Sequence, residues 1–331
     1  MQPLRVLSLF DGISVGKLAL EKADIPLEVY FASEIDKRAI KISKHNNPDI
    51  KHLGDIRHLD LASLGPIDLV LGGPPCQSFS KVGHSFNEIG TRTMVKGFDD
   101  PRGQLFWDYV RLLEILQPNY FLTENVIMSP DHRNVISNAL GTRPILLDSS
   151  YFTAQSRPRY FWTNLKLAPI QDSNLYLDSV IDWTATNRRG LYKSELDWVL
   201  GRSNWIAKPL IVTPENCSTI KSRAVLCKST AYFIPFIVKT SDGYFKPTEE
   251  ELEKLQGLPL GYTRNPDHNP NDRRGAGYMA REKMIGNAWT VPVIAHLLKG
   301  LHRAPKQDLT ASSTQYIQNT IHDDATNKTF N

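Results

Sequence analysis

Short apolar runs alternate with segments of helical periodicity through the first half of the chain, and this alternation most constrains the fold. The runs LRVLSLF (4–10), EVYFASEI (28–35), IDLVLGG (67–73) and NYFLTENV (119–126) have the length and composition of buried strands. Helical segments lie between them, and GQLFWDYVRLLEILQ (103–117) has a clear 3.6-residue period. Strands that alternate with helices predict an α/β fold with a doubly wound, mostly parallel sheet and helices on both faces.

The alternation fades after about residue 166, which indicates a change of architecture there. We predict a main domain over 1–166, a small irregular region over 167–250, and a C-terminal part over 251–304 that returns to the main domain. The middle region is either a second domain or an elaborate insertion, and the sequence leaves both open. The polar, aperiodic tail 305–331 is predicted to be disordered.

Composition excludes several classes of protein. Hydrophobic residues make up 41% and charged residues 22% of 331 residues, as in ordinary globular proteins. No apolar run is long enough to span a membrane, and the N-terminus does not have the pattern of a signal peptide. Three cysteines without a CxxC pair predict neither a disulfide framework nor a metal site. A reducing, cytoplasmic environment without membrane attachment is expected.

Positive charge is concentrated in one part of the irregular region. Between Arg188 and Lys228 there are eight basic and three acidic residues, a local charge of +5, and Trp198 and Trp205 lie among them. Such a stretch is compatible with a surface for a polyanion. Taken alone, the stretch is better explained as a solvated face.

Acidic residues follow three successive strands. Asp11 comes after the first strand, Glu34 ends the second, and Asp55 ends the next strand-like run. Gly12 and Gly16 follow Asp11 at the start of a helix, where the backbone can approach a ligand closely. Each acid alone is explained by helix capping. Together, at the carboxyl edge of an α/β sheet, they favour an adenosine-containing cofactor.

A thiol and a carboxyl group follow the next two strands. Cys76 stands in GGPPCQSFS (72–80), on a turn after a buried strand, and Glu124 ends the fifth strand in TENV. A cysteine nucleophile beside a carboxyl group is a plausible covalent pair. Arg157 and Arg159, in QSRPRYFW, are two residues apart on a strand and therefore share one face. Two guanidinium groups suit a phosphate or a carboxylate, although an exposed cationic edge is the plainer explanation.

Taken in order, these stretches resemble the motifs of one family, the cytosine-C5 DNA methyltransferases. The matching stretches are LSLFDGISVG, ASEID, GDI, DLVLGGPPCQSFS, FLTENV, QSRPRYFW and REKMIGNAWTVPV, which extend across nearly residues 4–300. This resemblance implies the Rossmann-like fold of S-adenosylmethionine-dependent methyltransferases. VLSLFDGI, TIKSR, VPVIAHL and the short variable region are similar to the catalytic domains of mammalian de novo DNA methyltransferases, whereas PPCQSFS is the bacterial form. We expect a stand-alone bacterial or phage enzyme.

The resemblance implies that S-adenosylmethionine is the cofactor and S-adenosylhomocysteine the product. Glu34 would hold the ribose hydroxyls, and Asp55 would bond the adenine amino group between the side chains of Ile35 and Ile56. The C-terminal motif would close the pocket. The cofactor residues implied are Phe10, Asp11, Gly12, Gly16, Glu34, Ile35, Asp55, Ile56, Pro74, Asn287 and Trp289.

The resemblance also implies a covalent mechanism. Cys76 would attack C6 of cytosine, and Glu124 would support N3 and the exocyclic amine, so that C5 becomes able to accept a methyl group. Arg159 would position the pyrimidine, and Arg157 would contact the nearby phosphate or Glu124. Which arginine does which is open at this point.

Double-stranded DNA is the expected partner, and the target cytosine must flip out of the duplex to be reached. The glycine-rich stretch 80–103 is expected to close over the flipped base, and base readout is expected from 183–280. The enzyme is expected to act as a monomer, with dimerisation through 264–283 left open. The expected DNA contacts are Gln77, Ser80, Lys193, Lys208 and Arg223, the last of which is either a base reader or a loop stabiliser.

Three alternatives stay open on these motifs. A tRNA cytosine methyltransferase has the same motifs, although PPCQSFS favours DNA. An accessory protein without catalysis usually lacks the cysteine or the glutamate, and both are present here. A methylase of small nucleotides conflicts with the basic stretch.

Overall fold

Twelve strands and eight α-helices make up the regular structure of the computed structural model, which describes residues 1–75, 85–86, 92–93, 101–202, 208–225, 234–267 and 276–303. The described strands are β1 (Leu4–Leu9), β2 (Leu27–Ser33), β3 (Lys51–His52), β4 (Leu69–Gly72), β5 (Ser85–Phe86), β6 (Arg92–Thr93), β7 (Tyr120–Asn125), β8 (Ile145–Asp148), β9 (Pro158–Thr163), β10 (Ile211–Val212), β11 (Ile237–Thr240) and β12 (Gly243–Phe245). The described α-helices are α1 (Val15–Lys22), α2 (Lys37–Asn46), α3 (Pro101–Leu116), α4 (Pro130–Ala139), α5 (Lys193–Val199), α6 (Glu249–Gln256), α7 (Ala276–Asn287) and α8 (Val291–Leu298).

A seven-stranded sheet with the order β3-β2-β1-β4-β7-β9-β8 organises the first half of the chain. The first five strands in that order pair in parallel, whereas β9 runs antiparallel to both β7 and β8. The predicted mostly parallel α/β sheet is therefore confirmed. Parallel strands end at one edge, so the turns that follow β1, β2, β4 and β7 lie side by side.

Local sequence signals explain where the helices begin. Asp36 accepts the backbone N–H of Arg38 as the N-cap of α2, and Ser129 accepts that of His132 before α4. Thr248 and Glu251 form a reciprocal capping box at the start of α6. These hydrogen bonds explain why α2, α4 and α6 begin where they do.

The sheet has an apolar core on each face, as a doubly wound fold requires. Along β1, Val6 belongs to a large cluster that includes Leu20 of α1 and Ile294 of α8. Leu7 points the other way, into a second cluster with Tyr109 of α3. Successive side chains of a strand point to opposite faces, so β1 presents apolar side chains to both cores.

The region 167–250 packs onto the main body. It contains a small sheet, β10-β11-β12, whose Val212 and Val238 belong to the same large cluster as Val6. A separate small cluster around Trp198 and Ile237 covers its outer part. This shared core favours an insertion over an independent second domain, and the boundaries at 166 and 250 stay a prediction.

Two expectations about polar segments fall partly or wholly outside the described residues. The glycine-rich stretch 80–103 is described only at residues 85–86, 92–93 and 101–103. The tail 305–331 is also outside the described part. Among the helices that the structure describes, none combines the length and the apolar character that crossing a bilayer requires.

The end of β4 is packed so tightly that it predicts a sensitive position. A Cβ atom on Gly72 would lie 2.4 Å from the ring of Tyr109, which is fully buried. Because that ring has no room to move, we expect Gly72→Ala to lower the free energy of unfolding by about 1–3 kcal/mol, the usual cost of overpacking. Denaturant unfolding measures this loss. Gly190→Ala is the control, since no described atom lies within 4 Å of its added Cβ, and equal stability of both variants would contradict the expectation.

Candidate active site

The loop after β1 is held in a strained conformation at the carboxyl edge of the sheet. Phe10, Gly12 and Ser14 have φ angles of 58°, 60° and 63°, in the left-handed region. Non-glycine residues persist there only when the surrounding structure fixes them. Asp11 provides this fixation, because its two carboxylate oxygens accept hydrogen bonds from Tyr30 Oη at 2.7 Å and Ser14 Oγ at 2.5 Å.

Asp11 supports the predicted pocket from beneath. Asp11 is only 8% exposed, and this burial raises the pKa of its carboxyl group. Both of its oxygens accept hydrogen bonds from side chains of the protein, so Asp11 fixes the shape of this loop.

Glu34 joins the ends of β1 and β2. Its Oε2 accepts the N–H of Gly12 at 2.8 Å, and its Oε1 accepts the N–H groups of Ile35 at 2.7 Å and Asp36 at 2.8 Å. A carboxylate has about four acceptor positions, so capacity for a ligand hydroxyl is left. The Ile35 side chain beside it is 66% exposed. An exposed isoleucine next to a fixed carboxylate suits a ligand with an apolar face and hydroxyl groups.

The next strand end is arranged differently from the expectation. Asp55 caps a short 3₁₀ turn by accepting the N–H of Arg57 at 3.0 Å, and it pairs with the Arg57 guanidinium at 2.5 Å. These hydrogen bonds lower the pKa of Asp55 to about 2. Ile56 is only 4% exposed and packs in the core beside Leu7. A ligand can stack on the exposed side chain of Ile35, whereas the buried side chain of Ile56 has little surface that a ligand could contact.

Trp289 brings the C-terminal motif to the same edge. A Cβ on Gly73 would lie 3.0 Å from Trp289 Nε1, and one on Gly16 would lie 3.5 Å from its ring. The missing side chains at these glycines allow the indole to lie over the ends of β1 and β4. Asn287, at the end of α7, is exposed. The predicted cofactor residues from both ends of the chain are thus close together.

An ion pair between Glu124 and Arg159 forms the second half of the site. Glu124 Oε1 lies 2.9 Å from Arg159 Nε, and the side chains are 15% and 13% exposed. Among the described residues, the Nε–H of Arg159 has no well-aligned hydrogen-bond acceptor, so this contact is an ion pair rather than a directed hydrogen bond. The pair opens into a small cavity that is lined by Glu124, Ser149, Arg157, Arg159, Phe161, Trp289, Thr290, Val293 and Ile294.

Arg157 has a different environment from the one its sequence position suggests. It is 5% exposed, and its terminal nitrogens donate to the carbonyls of Val225 at 2.5 Å, Gly286 at 2.9 Å and Ala288 at 3.2 Å. Of the two arginines, Arg159 forms the ion pair with Glu124. Both face the cavity, but Arg157 joins three chain segments within the protein.

The segment that leads to Cys76 is fixed beside Glu124. Asn125 Nδ2 donates to the carbonyl of Pro74 at 3.3 Å, and Pro74 is buried. This bond ties the end of the β4 segment to the end of β7. Cys76 follows Pro74 by two residues and, with Gln77 and Ser80, lies outside the described residues.

The basic stretch of the irregular region is divided in the structure. Arg188 is buried in an ion pair with Glu251, and its charge is therefore neutralised inside the protein. Lys193, Lys208 and Arg223 are exposed, and Arg223 Nη2 donates to the carbonyl of Lys208 at 2.6 Å. The three predicted DNA-contact residues in this stretch face solvent, and Arg223 also joins its segment to that of Lys208.

Sequence reasoning missed the residues that support the site from below. Tyr30 and Ser14 bind Asp11, Asn125 holds Pro74, and Gly73 makes room for Trp289. Only Gly73 had a visible signal, since it stands in the Gly-Gly-Pro-Pro turn. Tyr30 belongs to an ordinary strand pattern, and its hydrogen bond depends on the pairing of β1 with β2.

The sheet order and the site define a class, the methyltransferases of doubly wound α/β fold. Residues 4–174 match the family model described as C-5 cytosine-specific DNA methylase, so the chain belongs to that family. The resemblance expected from the sequence motifs is confirmed.

Relatives come from phage and bacteria. The orphan methyltransferase M.SPRI of Bacillus phage SPR is 36% identical over 191 residues, which are 54% of this chain and 41% of the relative. The type II methyltransferase M.NgoPII of Neisseria gonorrhoeae is 35% identical over 178 residues, 50% of this chain and 48% of the relative. The chain thus spans less than half the length of these two relatives. Their sources agree with the expected bacterial or phage origin.

Solved structures show the same fold at lower identity. The Entamoeba histolytica methyltransferase EhMeth has a TM-score of 0.69 at 16% identity, with 92% of this chain and 99% of that chain covered. The S. pombe Dnmt2 methyltransferase has a TM-score of 0.63 at 20% identity, with 90% and 99% covered. These similarities extend the fold assignment to nearly the whole chain.

The support of the β1 loop by Tyr30 can be tested directly. Tyr30→Phe leaves one oxygen of buried Asp11 without its hydrogen bond, so we expect a loss of about 1–3 kcal/mol in the free energy of unfolding. Denaturant unfolding gives the value. Tyr120→Phe is the matched control, because the Tyr120 hydroxyl has no hydrogen-bond partner among the described residues. If the two substitutions cost the same, Tyr30 does not support the loop.

Proposed function

We propose that this protein transfers a methyl group from S-adenosylmethionine to C5 of cytosine in duplex DNA. The observation that carries the proposal is the Glu124–Arg159 ion pair, which lies in a cavity shared with Trp289. The neighbouring residue, Asn125, holds the segment that leads to Cys76. Membership of the C-5 cytosine-specific DNA methylase family supports the same reaction.

The residues at the strand ends fit S-adenosylmethionine, which supplies an electrophilic methyl group when bound. Glu34 is fixed by three backbone N–H groups and has acceptor capacity left for the two ribose hydroxyls. Ile35 presents an exposed apolar surface to the adenine ring. Asp55 would receive the adenine amino group while it stays paired with Arg57. Trp289 closes the edge over Gly73.

Cytosine C5 is a weak nucleophile, and the protein must activate it. The Cys76 thiolate forms a bond to C6, which breaks the aromaticity of the ring and gives C5 the character of an enamine carbon. Glu124 contacts N3 and the exocyclic amine, and Arg159 holds the Glu124 carboxylate and the pyrimidine in place. Once C5 carries the methyl group, loss of its proton breaks the bond between C6 and sulfur and restores the thiolate.

A base inside a duplex cannot reach this cavity, so the target cytosine is proposed to flip out. The stretch 80–103 would close over it. Lys193 and Lys208, both exposed, would bind phosphates. Arg223 is the candidate base reader, because arginine pairs bidentately with guanine in the major groove. Its hydrogen bond to the Lys208 carbonyl supports the alternative role in stabilising the loop.

A covalent trap tests the mechanism. When the enzyme is mixed with S-adenosylmethionine and duplex DNA that carries 5-fluorocytosine at candidate sites, the adduct is held after methyl transfer, because fluorine cannot leave C5 as a proton does. We expect a band of enzyme bound to DNA on a denaturing gel, absent in Cys76→Ser. Glu124→Gln should form it more slowly by about 10²-fold or more, the scale of acid–base contributions.

Cys217→Ser is the control, because Cys217 is buried at 6% exposure. A band that persists in Cys76→Ser would rule out Cys76 as the nucleophile. The same assay with fluorinated transfer RNA distinguishes the RNA alternative, and bisulfite sequencing of host DNA identifies the methylated motif.

The cofactor pocket predicts a selective loss of affinity. Glu34→Ala should weaken binding of S-adenosylmethionine by about 1.5–3 kcal/mol, since hydrogen bonds to a charged group are lost. Isothermal calorimetry measures the change. Glu28→Ala is the control on the same strand, because Glu28 lies on the surface and pairs only with Arg5 among the described residues. Unchanged affinity in Glu34→Ala would exclude this pocket.

A further inference from the structure

A buried polar cluster lies between the cofactor tryptophan and the recognition region. We name it the junction and define it as the side chains of Ser149, Gln155, Arg157, Gln256 and Thr290. Each of these residues is 5% exposed or less. They come from four segments of the chain, and the bond from Ser149 to Thr290 spans 141 residues of sequence.

One end of the junction fixes Val225. Gln155 Oε1 accepts the Val225 N–H at 2.7 Å, and Arg157 Nη1 donates to the Val225 carbonyl at 2.5 Å. Both polar backbone groups of this residue are therefore bonded to the junction. Arg223, the candidate base reader, is two residues earlier, and its neighbour Ser222 pairs with the backbone beside Gln155.

The other end fixes the residues on either side of Trp289. The carbonyl of Ala288 accepts hydrogen bonds from Gln256 Nε2 at 3.2 Å and from Arg157 Nη2 at 3.2 Å. Thr290 Oγ1 donates to Gln256 Oε1 at 2.7 Å. Trp289 is thus held between two residues whose polar groups belong to the junction.

The two glutamines connect these ends, and their partners fix the orientation of each amide. Gln155 Nε2 donates to the Leu255 carbonyl at 3.1 Å and to Gln256 Oε1 at 3.2 Å. A carbonyl can only accept and a backbone N–H can only donate, so neither amide can be reversed. A buried network with all partners present is rigid, because a shift at one end leaves donors unpaired at the other.

We propose that the junction couples the cofactor pocket to the target-recognition region. Whatever fixes Trp289 also fixes Val225 and the loop of Arg223, and Gln155, Gln256 and Thr290 are positioning residues for both. This inference rests on the proposed function, since it takes S-adenosylmethionine as the ligand beside Trp289. Coupling between two sites is reciprocal, so DNA bound at the recognition region tightens the cofactor by the same factor, typically about 5–150-fold.

Hydrogen exchange measured by mass spectrometry, with S-adenosylhomocysteine as the probe, tests the coupling on the full chain. In the wild type, we expect the probe to slow amide exchange at 10–16, which line the pocket. We also expect slower exchange at 222–225, by about fivefold or more, although the cofactor pocket does not include these residues. Protection at 10–16 without protection at 222–225 overturns the proposal.

Thr290→Val tests whether the junction carries the effect of the bound probe from 10–16 to 222–225, as distinct from binding of the probe itself. Valine has nearly the same shape, but it removes the hydroxyl that joins Ser149 to Gln256. We expect protection at 10–16 to stay and protection at 222–225 to fall to the level without the probe. The matched control is Thr163→Val, because the Thr163 hydroxyl is also buried and also makes two hydrogen bonds, to Phe121 and Leu165. In the control, the probe should slow amide exchange at 222–225 as much as it does in the wild type.

Gln155→Glu is the stronger variant, because it puts an acceptor opposite the Leu255 carbonyl. It should abolish the protection of 222–225 by the probe, and if this variant fails to fold, Thr290→Val decides the outcome. Protection of 222–225 at the wild-type level in Thr290→Val overturns the proposal. If the wild type shows no protection at either segment and calorimetry detects no binding of the probe, the proposed function itself has failed. That result is distinct from a failure of coupling, in which binding is intact.

Discussion

Parallel pairing of β1 with β2 and β4 is the constraint on which the site depends. In that register Leu9 pairs with Ser33 on one side and with Gly72 on the other. The three strands therefore end together, and the β1 loop, Glu34 and the Gly72–Gly73 turn meet at one edge. From β1 the chain adds β2 and β3 on one side and β4 and β7 on the other. Ligands of such folds bind in the crevice at this change of direction, between β1 and β4.

Burial of charge shapes this edge as much as strand order does. Asp11 is buried and its pKa is raised, so its carboxyl would be unfavourable there without Tyr30 and Ser14. The two partners compensate the burial and fix the left-handed loop at the same time. Glu34 has the opposite arrangement, since it is only partly buried and retains acceptor capacity. One acid serves the architecture and the other is open to a ligand.

The sequence predicted the sheet, the helices and most of the groups at the edge, because each has a local signal. Strand ends, caps and Gly-Pro turns are read from a few adjacent residues, and Glu34, Glu124 and Arg159 stand at such positions. Arg157 shows the limit of this reasoning. Its spacing from Arg159 places both on one face, but its hydrogen bonds to Val225 and Ala288 depend on packing across 68 and 131 residues of sequence. Tyr30 has the same limit, since no local pattern shows that its hydroxyl meets Asp11.

In the region 167–250, a count of basic residues along the sequence overstates the positive charge that faces solvent. Arg188 pairs with Glu251 of α6, and Lys246 pairs with Glu195 at 2.6 Å with both side chains nearly buried. Buried pairs of this kind are costly to separate, because each partner alone would be an uncompensated charge. The first pair attaches the region 167–250 to α6, and the second attaches Lys246 to α5 within that region, so neither cation is available to phosphates. The charge that faces solvent is carried instead by residues such as Lys193 and Lys208. Buried and solvent-facing charge thus come from different residues of the region, because Arg188 and Lys246 are paired inside the protein while Lys193 and Lys208 face solvent.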